Sequence, residues 1–421
     1  MMDLSQIQQK DEKDPLLKFK TRFFHPENEL YFDGNSLGKL PLKSKKMLNE
    51  IIQNQWGERL IRSWNENWLF LPKRIASKYA QLLGTENGEI CIGESTSVRL
   101  YQILYALLSS NLFHKNLTTD ILNFPTDLYI IEGLKKAFQI PQITLVKYPN
   151  EIEADIEILK NSIKKNPGII CLSMVSYKSA FFYPVQLLNR WAAKYNSIIV
   201  WDLSHAVGAV AINLKVAEVK IALGCTYKYM NGGPGAPAFL FVNNDLQPNL
   251  FNPIQGWFGH HRPFDFNMNF IPADGIDRFA SGTPSVLSIA GIEAGIDLVL
   301  EAGIEEIRLK STSQSDFFLK AAEEELIPIG FSIESPIDPN QRGSHVTLSH
   351  SASWQICQAL MAGSKSYPKI IPDYRPPYFI RFGITPLYTS YEDIWILVNT
   401  LKTIVTKKAY LNFCSKKKNV T

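Results

Sequence analysis

The sequence predicts an α/β fold with two domains, a large one built on a mixed, mostly parallel sheet flanked by helices and a smaller α+β domain after it. From about residue 89 to residue 242, short apolar or β-branched runs alternate with helical stretches, which is typical of a sheet covered by helices on both faces. A long helical stretch over about 286–325 links this region to short strands and a final helix. These changes of pattern predict an N-terminal arm over 1–40, a large domain over 41–290 and a small domain over 291–421.

The individual elements follow from local periodicity. Residues 1–30 predict an irregular arm, and residues 42–82 have a mainly helical pattern. In the large domain, strands are predicted at 89–92, 120–124, 142–146, 169–174, 197–202, 221–225 and 238–242, with helices at 98–107 and 186–194. In the small domain, strands are predicted near 331–333, 345–348 and 378–382, with a last helix at 391–405. Ligands bind at the carboxyl ends of strands in such sheets, where the sequence places Ser97, Asp127, Asp202 and Lys228.

Composition and charge exclude several classes of protein. The net charge of +4, from 44 basic and 40 acidic residues, gives no sign of a nucleic-acid partner, and the basic cluster at 416–418 is interpreted as a solvated tail. The five cysteines are scattered without CxxC spacing, so neither a zinc site nor a disulfide framework is predicted. Residues 1–20 lack the apolar core of a signal peptide, and no apolar run approaches the roughly 18 residues of a membrane span. We expect a soluble cytoplasmic protein.

Lys228 and Asp202 are the two residues from which a function can be inferred. Asp202 ends one predicted strand, and Lys228 lies just after the next. A lysine amine forms a Schiff base with the aldehyde of pyridoxal 5'-phosphate (PLP), and a carboxylate keeps the pyridine nitrogen protonated so that the ring acts as an electron sink. Taken singly, Asp202 could be a helix N-cap and His205 a buried core histidine. Together with Lys228 they favour a PLP enzyme that acts on bonds around an amino acid Cα.

Other side chains would complete such a site. Thr96 and Ser97 begin a helical pattern, so their hydroxyls and the helix N-terminus could bind a phosphate, although simple helix capping also explains them. Phe124 offers an aromatic face and Asp127 a second carboxylate, and a strand-end turn is the alternative for both. The glycines within 232–235 let the backbone approach a bulky ligand, but they do not match a P-loop.

Arg381 is a cation within the predicted apolar strand 378–382, and buried arginines are rare unless paired. It is either a bidentate clamp for a substrate α-carboxylate or half of a structural salt bridge. Other chemistry has less support. His260 and His261 lack further ligands at metal-binding spacing, so no metal is predicted. No G-x-S-x-G motif indicates a serine hydrolase.

Taken in order along the chain, these segments resemble the kynureninase family, PLP-dependent hydrolases of fold type I that are similar to class V aminotransferases. The agreement runs through nearly the whole chain and is closest to the bacterial type. The segments that carry it are 31–38, 60–65, 95–98, 124–127, 201–208, 225–237, 256–260, 281–284, 342–346 and 381–388.

The resemblance implies a role for each candidate. Lys228 would be the Schiff-base lysine, Asp202 the partner of the pyridine nitrogen, and Phe124 the side chain stacked on the ring, with Asp127 nearby. Arg381 would bind the substrate carboxylate. The remaining cofactor contacts, mostly at the phosphate, would come from Thr96, Ser97, Ser173, His205 and Tyr227. The other substrate contacts would come from Trp64 and Asn35.

The resemblance also implies a homodimer with shared active sites, in which Trp257 and Thr283 reach the site of the partner subunit. Trp64 and Thr283 match the bacterial form, which favours kynurenine, whereas the animal form has His and Asn at these positions and favours 3-hydroxykynurenine. Two segments depart from the family. Residues 179–180 are Ser-Ala in place of Thr-Gly, and 363–375 is longer, which is expected to reshape the lid over Arg381.

The implied reaction is hydrolysis of L-kynurenine to anthranilate and L-alanine in tryptophan catabolism, with 3-hydroxykynurenine as a secondary substrate. Lys228 would remove the α-proton, and Tyr227 would serve as a proton donor. One alternative is another fold type I enzyme, such as a cysteine desulfurase or a lyase, but a desulfurase needs a nucleophilic cysteine in the C-terminal half, and none occurs between Cys225 and Cys357. A catalytically silent PLP-fold protein is disfavoured because Lys228, Asp202 and Arg381 are all present.

Overall fold

The computed structural model describes residues 3–414, so the basic cluster at 416–418 lies outside the described residues. The strands in chain order are β1 (Glu29–Tyr31), β2 (Ile90–Ile92), β3 (Leu117–Asp120), β4 (Ile143–Val146), β5 (Ile169–Ser173), β6 (Ile198–Asp202), β7 (Ile221–Gly224), β8 (Phe239–Val242), β9 (Ser332–Ile333), β10 (His345–Ser349), β11 (Lys369–Ile371), β12 (Asp373–Arg375) and β13 (Phe379–Gly383).

The α-helices in chain order are α1 (Leu4–Glu12), α2 (Leu42–Glu50), α3 (Leu71–Leu83), α4 (Thr96–Ser109), α5 (Pro125–Ala137), α6 (Ile156–Lys165), α7 (Val185–Lys194), α8 (Val286–Ala302), α9 (Ile304–Glu325), α10 (Ser353–Ala362) and α11 (Tyr391–Thr406). The helical prediction for 42–82 is confirmed, with π-helical turns at Ile51–Arg59 and Trp64–Trp68 between α2 and α3. Among residues 3–414, no helix is long and apolar enough to cross a bilayer.

The large sheet has the strand order β2-β8-β7-β6-β5-β3-β4, and β8 alone runs antiparallel to its neighbours. The predicted mixed, mostly parallel α/β sheet is therefore confirmed. Its strands are apolar on both faces, as expected for strands covered by helices on both sides. Parallel β5 and β6 pair Ser173 with Asp202, so their carboxyl ends lie side by side.

The strand predicted at 120–124 was wrong, because the chain turns at Asp120 and not after it. The Asp120 carboxylate accepts the N–H of Leu122 at 3.0 Å and the hydroxyls of Tyr148 and Tyr183 at 2.8 and 2.5 Å. Three donors satisfy this buried carboxylate and fix the turn into α5. The turn places Phe124 at the N-cap of α5 and Asp127 in its first turn.

Residues 3–30 contain a helix, a 3-10 helix and the start of β1, so the prediction of an irregular arm over 1–30 was wrong. Asp3 forms a capping box that starts α1. At the end of this helix, the carboxylate of Asp11 accepts the N–H groups of Tyr391 and Glu392 at 2.8 and 2.9 Å. A carboxylate at the N-terminus of α11 is favoured by the helix dipole, and it docks the arm onto the C-terminal region. This contact joins residues far apart in sequence, and local periodicity does not reveal it.

The C-terminal region forms a four-stranded antiparallel sheet with the order β12-β13-β10-β9, which is the predicted smaller α+β unit. It has its own apolar core, which includes Phe318, Leu348 and Phe382. The predicted linking helix over 286–325 is two helices, because Gly303 adopts a φ of 81°, which favours glycine, and ends α8. The domain boundaries at residues 40 and 290 stay predictions.

Helix α8 packs closely against the loop that follows Lys228. A Cβ atom on Gly295 would lie 1.9 Å from the carbonyl oxygen of Met230, and one on Gly291 would lie 3.0 Å from that of Gly232. Real Cβ atoms do not approach an oxygen this closely, so residue 295 must be glycine for the backbones to meet. The position of the lysine loop therefore depends on α8.

We predict that Gly295→Ala lowers the free energy of unfolding by about 2 kcal/mol, because an added methyl group forces the helix and loop apart. The matched control is Gly133→Ala in α5, where a Cβ would meet nothing within 4 Å, and the helix propensity of alanine makes that change neutral or stabilising. Urea unfolding of both variants gives the comparison. Equal stability of the two variants would contradict the close packing of α8 on this loop.

Candidate active site

A cavity of about 250 Å³ opens at the carboxyl ends of the parallel strands of the large sheet. It brings together most of the side chains that the sequence predicts for the site. The predicted residues that line it are Asn35, Thr96, Ser97, Phe124, Asp127, Ser173, Asp202, His205, Tyr227, Lys228 and Arg381. Ser36, Thr126, Ser204 and Arg375 also line it.

Two buried carboxylates, Asp202 at the end of β6 and Asp127 in the first turn of α5, share one wall of this cavity. Burial raises the pKa of Asp202, and the N–H of Ser204, which donates to its Oδ1 at 2.7 Å, offsets part of this effect. Burial and the charge of Asp202 raise the pKa of Asp127 well above its usual value, and Asp127 Oδ2 has no hydrogen-bond partner in the described part of the chain. The wall favours a cationic hydrogen-bond donor.

The Lys228 amine faces this wall from the segment after β7. Its Nζ lies 2.9 Å from Nε2 of His205 and 5.9 Å from the ring centroid of Phe124. Burial and the charge of Lys228 lower the pKa of His205 well below its usual value, so the imidazole is neutral. The other ring nitrogen of His205 has no partner among the described residues. His205 is thus part of the site, and the core-histidine alternative does not describe its position.

The N-terminus of α4 forms another part of the cavity wall. Ser95 is the N-cap, and Thr96 and Ser97 are the first two helical residues. The first N–H groups of a helix have no intrahelical partner and bind anions well. Tyr227 also lines this cavity, and the adjacent Cys225 and burial raise the pKa of its hydroxyl, which therefore remains a proton donor near neutral pH.

Asn123, which the sequence does not single out as a site residue, holds two parts of the cavity wall together. Its Oδ1 accepts the hydroxyl of Ser173 at 2.6 Å and the N–H of Phe124 at 2.9 Å, while its Nδ2 donates to the carbonyl of Cys171 at 3.2 Å. This amide ties the end of β5 to the residue that presents an aromatic face to the cavity. It stands directly before the quoted motif 124–127, but an asparagine before a turn gives no specific signal.

Arg381 lies at the other end of the cavity and is 1% exposed. Its guanidinium donates to the carboxylate of Asp373, to the carbonyl of Tyr177 and, at 3.2 Å, to Oγ of Ser36. The structural salt bridge considered from the sequence is therefore present, yet the guanidinium also lines the cavity. Arg375 donates to the same Oδ2 of Asp373 at 2.9 Å, so two cations share one carboxylate.

The amide of Asn35 lies beside these cations. The residue is fully buried, and neither its Oδ1 nor its Nδ2 has a hydrogen-bond partner within residues 3–414. A buried amide without a partner is costly unless a ligand satisfies it. Its position supports the substrate contact implied by the resemblance.

Trp64, Trp257 and Thr283 do not line this cavity in the single chain. Trp257 donates from Nε1 to Oγ1 of Thr283 at 3.3 Å, and its ring lies 4.4 Å from that of Phe258. The ring centroid of Trp64 lies 6.0 Å from that of Phe258. Trp64 therefore packs with Trp257 and Phe258 and does not line the Lys228 cavity of its own chain. Thr283 lines a second cavity, of about 790 Å³, which also contacts Thr96, Ser97 and Tyr227.

These residues fit PLP. The carboxylate wall suits a protonated pyridine nitrogen, the Lys228 amine suits the aldehyde, and the α4 N-terminus suits the phosphate. The unpartnered atoms Asp127 Oδ2 and His205 Nδ1 are polar groups that such a ligand could satisfy. Within the described residues, no group of three or more His, Cys, Asp or Glu side chains is arranged to hold a metal ion.

Two family models match the chain. The model of the class-V aminotransferases matches residues 75–329, and the model of the kynureninase C-terminal domain matches residues 307–401. The first match spans more than half of the chain and includes all seven strands of the large sheet, and the second includes β10 to β13 with Arg381.

Full-length relatives agree with these models. The kynureninases of Pseudomonas fluorescens and of Burkholderia pseudomallei (strain K96243) are each 34% identical to this chain over 406 residues, which is 95% of this chain and 95% of each relative. A solved structure of a cysteine desulfurase from Thermococcus onnurineus NA1 superposes with a TM-score of 0.75 over 97% of this chain and 99% of that one, at 15% identity, and shows the shared PLP-dependent type I fold. The sequence relationship, the fold and the lysine–carboxylate cavity together show that the chain belongs to the kynureninase family of PLP-dependent hydrolases.

Proposed function

We propose that this protein hydrolyses L-kynurenine to anthranilate and L-alanine, with 3-hydroxykynurenine as a secondary substrate. The observation that supports this most directly is a single cavity with Lys228 and Asp202 at one end and Arg381 and Arg375 at the other. An amino acid has an amine and a carboxylate on one carbon, and the two ends of this cavity match that pair of groups.

Lys228 would hold PLP, which, when bound, supplies an electron sink for the bond broken next to the substrate's Cα. Asp202 would hold its ring nitrogen, with Asp127 as a protonated neighbour whose raised pKa prevents two adjacent negative charges. Phe124 would lie against the ring face. The contacts of Thr96, Ser97, Ser173 and His205 would complete the site, mostly at the phosphate.

Lys228 would also move protons during the reaction. Once the substrate amine has replaced it, its free Nζ can take the proton from the substrate's Cα. The neutral His205 imidazole at 2.9 Å can accept a hydrogen bond from this nitrogen and keep it in place. The Tyr227 hydroxyl, which stays protonated, can return a proton to the carbon released when water has added to the side-chain ketone.

The exposed apolar surface supports a homodimer with shared sites. Met268 is 97% exposed, Ile61 is 75% exposed and Phe266 is 74% exposed, which is unusual for residues that stay in contact with water. These residues lie near Trp64 and Trp257 in sequence, and Trp257 and Phe266 stack with a 6.2 Å centroid separation. We propose that a second copy covers this surface and that Trp64, Trp257 and Thr283 complete the partner's substrate pocket.

A desulfurase activity is disfavoured by the cysteines. None of the side chains that line the Lys228 cavity is a cysteine. Cys357, in α10, and Cys225 are fully buried, and burial raises the pKa of each thiol, so neither offers a reactive thiolate.

We also propose a cytoplasmic location, since Cys91, Cys171, Cys225 and Cys357 are all thiols.

We predict that the PLP-loaded protein forms anthranilate from L-kynurenine and that Lys228→Ala abolishes this turnover, because the variant loses both the anchor of the cofactor and the base. Anthranilate fluorescence in a steady-state assay measures the rate. Faster turnover of kynurenine than of 3-hydroxykynurenine is expected from Trp64 and Thr283. A wild-type protein that binds PLP but forms no anthranilate would contradict the proposed reaction.

The shared site can be tested by mixing two inactive variants, Lys228→Ala and Thr283→Arg. If Thr283 acts on the partner's cavity, each mixed dimer has one cavity with both residues intact, and random reassortment should restore about a quarter of wild-type activity. The control is a mixture of Lys228→Ala with Lys228→Gln, in which no cavity regains the lysine. Mass spectrometry would show whether mixed dimers have formed. If they have formed and no activity returns, Thr283 acts on the site of its own subunit.

A further inference from the structure

Two cations line the proposed carboxylate-binding end of the cavity, and two carboxylates that do not line it lie next to them. The cations are Arg381 and Arg375, and both donate to Oδ2 of Asp373. The second carboxylate is Asp33, which lies in the turn after β1 and makes no ion pair within residues 3–414. With both carboxylates ionised, the cluster is already neutral before a substrate arrives.

Asp33 is held close to the guanidinium that lines the cavity. The N–H of Phe32 donates to Ile371 at 2.9 Å, and the carbonyl of Phe32 accepts the N–H of Gly383 at 2.6 Å, which fixes the turn against β13. The N–H of Ser36 donates to the carbonyl of Asp33 at 2.9 Å, and the Ser36 hydroxyl accepts an N–H of Arg381 at 3.2 Å. Asp33 Oδ1 is shielded from solvent and has no partner in the described chain.

A substrate carboxylate would add a third negative charge to this cluster. An uncompensated buried charge is expensive, and a buried group loses its charge by binding a proton where it can. Two guanidiniums already bind the carboxylate of Asp373. Asp33 has no such partner, and burial, followed by the charge of Asp373, raises the pKa of Asp33 to about 7.

We propose that Asp33 takes up one proton when the substrate's α-carboxylate binds beside Arg381 and Arg375, so that carboxylate recognition in this enzyme is coupled to protonation of a positioning residue behind the guanidiniums. This inference depends on the proposed function, because it requires an α-carboxylate at this end of the cavity. Asp33 does not line the cavity and would act through Arg381 and Arg375.

The other groups that face Asp33 or the two arginines cannot serve as the proton acceptor near neutral pH. The tyrosines and the thiol next to this cluster have a pKa raised by burial and are already protonated: Tyr31, Tyr229, Tyr388 and Cys357. His205 and His345, buried on the far side of Arg381, have a pKa lowered first by burial and then by neighbouring cations. Protonation would place a buried positive charge on each imidazole, whereas protonation of Asp33 removes a negative charge.

The coupling sets the sign of the pH dependence. Binding that takes up a proton weakens as the pH rises above the pKa of the free enzyme's group. The affinity for a carboxylate ligand should therefore fall about tenfold per pH unit above pH 7, until the pH reaches the higher pKa of Asp33 in the complex. Below pH 7 the affinity should be nearly constant, because Asp33 is already protonated.

Calorimetry of the PLP-loaded enzyme tests this directly. The probe is 4-oxo-4-phenylbutanoate, which has the carboxylate and aryl ketone of the substrate but no amine and cannot react with the cofactor. Titration at pH 8 in two buffers of different ionisation enthalpy gives the number of protons taken up. We expect about one proton per site at pH 8 and far less at pH 6. A value near zero at both pH values would overturn the proposal.

Asp33→Asn assigns the proton. This variant keeps the shape of the side chain, should take up no proton and should bind the probe at pH 8 about tenfold more tightly than the wild type. Uptake that persists in the variant would show that another group takes up the proton and would overturn the role of Asp33. If the variant does not fold, the wild-type proton count alone still decides whether the coupling exists.

Arg381→Met separates this inference from the proposed function. Loss of probe binding in Arg381→Met together with no proton uptake in the wild type would refute the coupling and leave the substrate assignment intact. Probe affinity that is unchanged in Arg381→Met, or no binding to the wild type at all, would refute the proposed carboxylate site itself, and the coupling with it.

Discussion

Charge balance in a buried cavity is the constraint on which the site depends. At one end, Lys228 faces the two carboxylates of Asp202 and Asp127, and at the other, Arg381 and Arg375 face Asp373 and Asp33. In a medium of low dielectric constant each of these charges would be costly alone. Each end is therefore stable only as a group of opposite charges.

The connections of the chain keep the two ends at a fixed separation. The turn that contains Asp33 and Asn35 continues to Gly38, whose N–H donates to the carbonyl of Tyr227 at 2.8 Å. A Cβ on Gly38 would lie 2.3 Å from the carbonyl oxygen of Lys228, so only glycine permits this contact. The short segment 32–38 thus contacts both the loop around Lys228, which follows β7 of the large sheet, and β13 of the small sheet, which carries Arg381.

The sequence predicted the parts of the site that depend on parallel strands. Asp202 ends one strand and Lys228 follows the next, so their proximity comes from the rule that ligands bind at the carboxyl edge of such a sheet. It did not predict Asp373 as the partner of Arg381, because the two residues lie on adjacent strands whose register the sequence does not give. It also did not predict the contact of Arg381 with the carbonyl of Tyr177, because this contact joins segments about 200 residues apart. The docking of α1 was missed for the same reason.

The fold that this protein shares with other enzymes does not by itself identify its activity. The desulfurase structure shares the whole architecture at 15% identity, so the sheet, the helices and the lysine loop cannot by themselves determine the reaction. The cavity of this chain is lined by two arginines and by an asparagine amide without a partner in the described residues, and no cysteine lines it. In the proposed reaction these groups would bind the substrate's carboxylate, while Lys228 and Tyr227 would move protons and water would add to the ketone next to the bond that PLP activates.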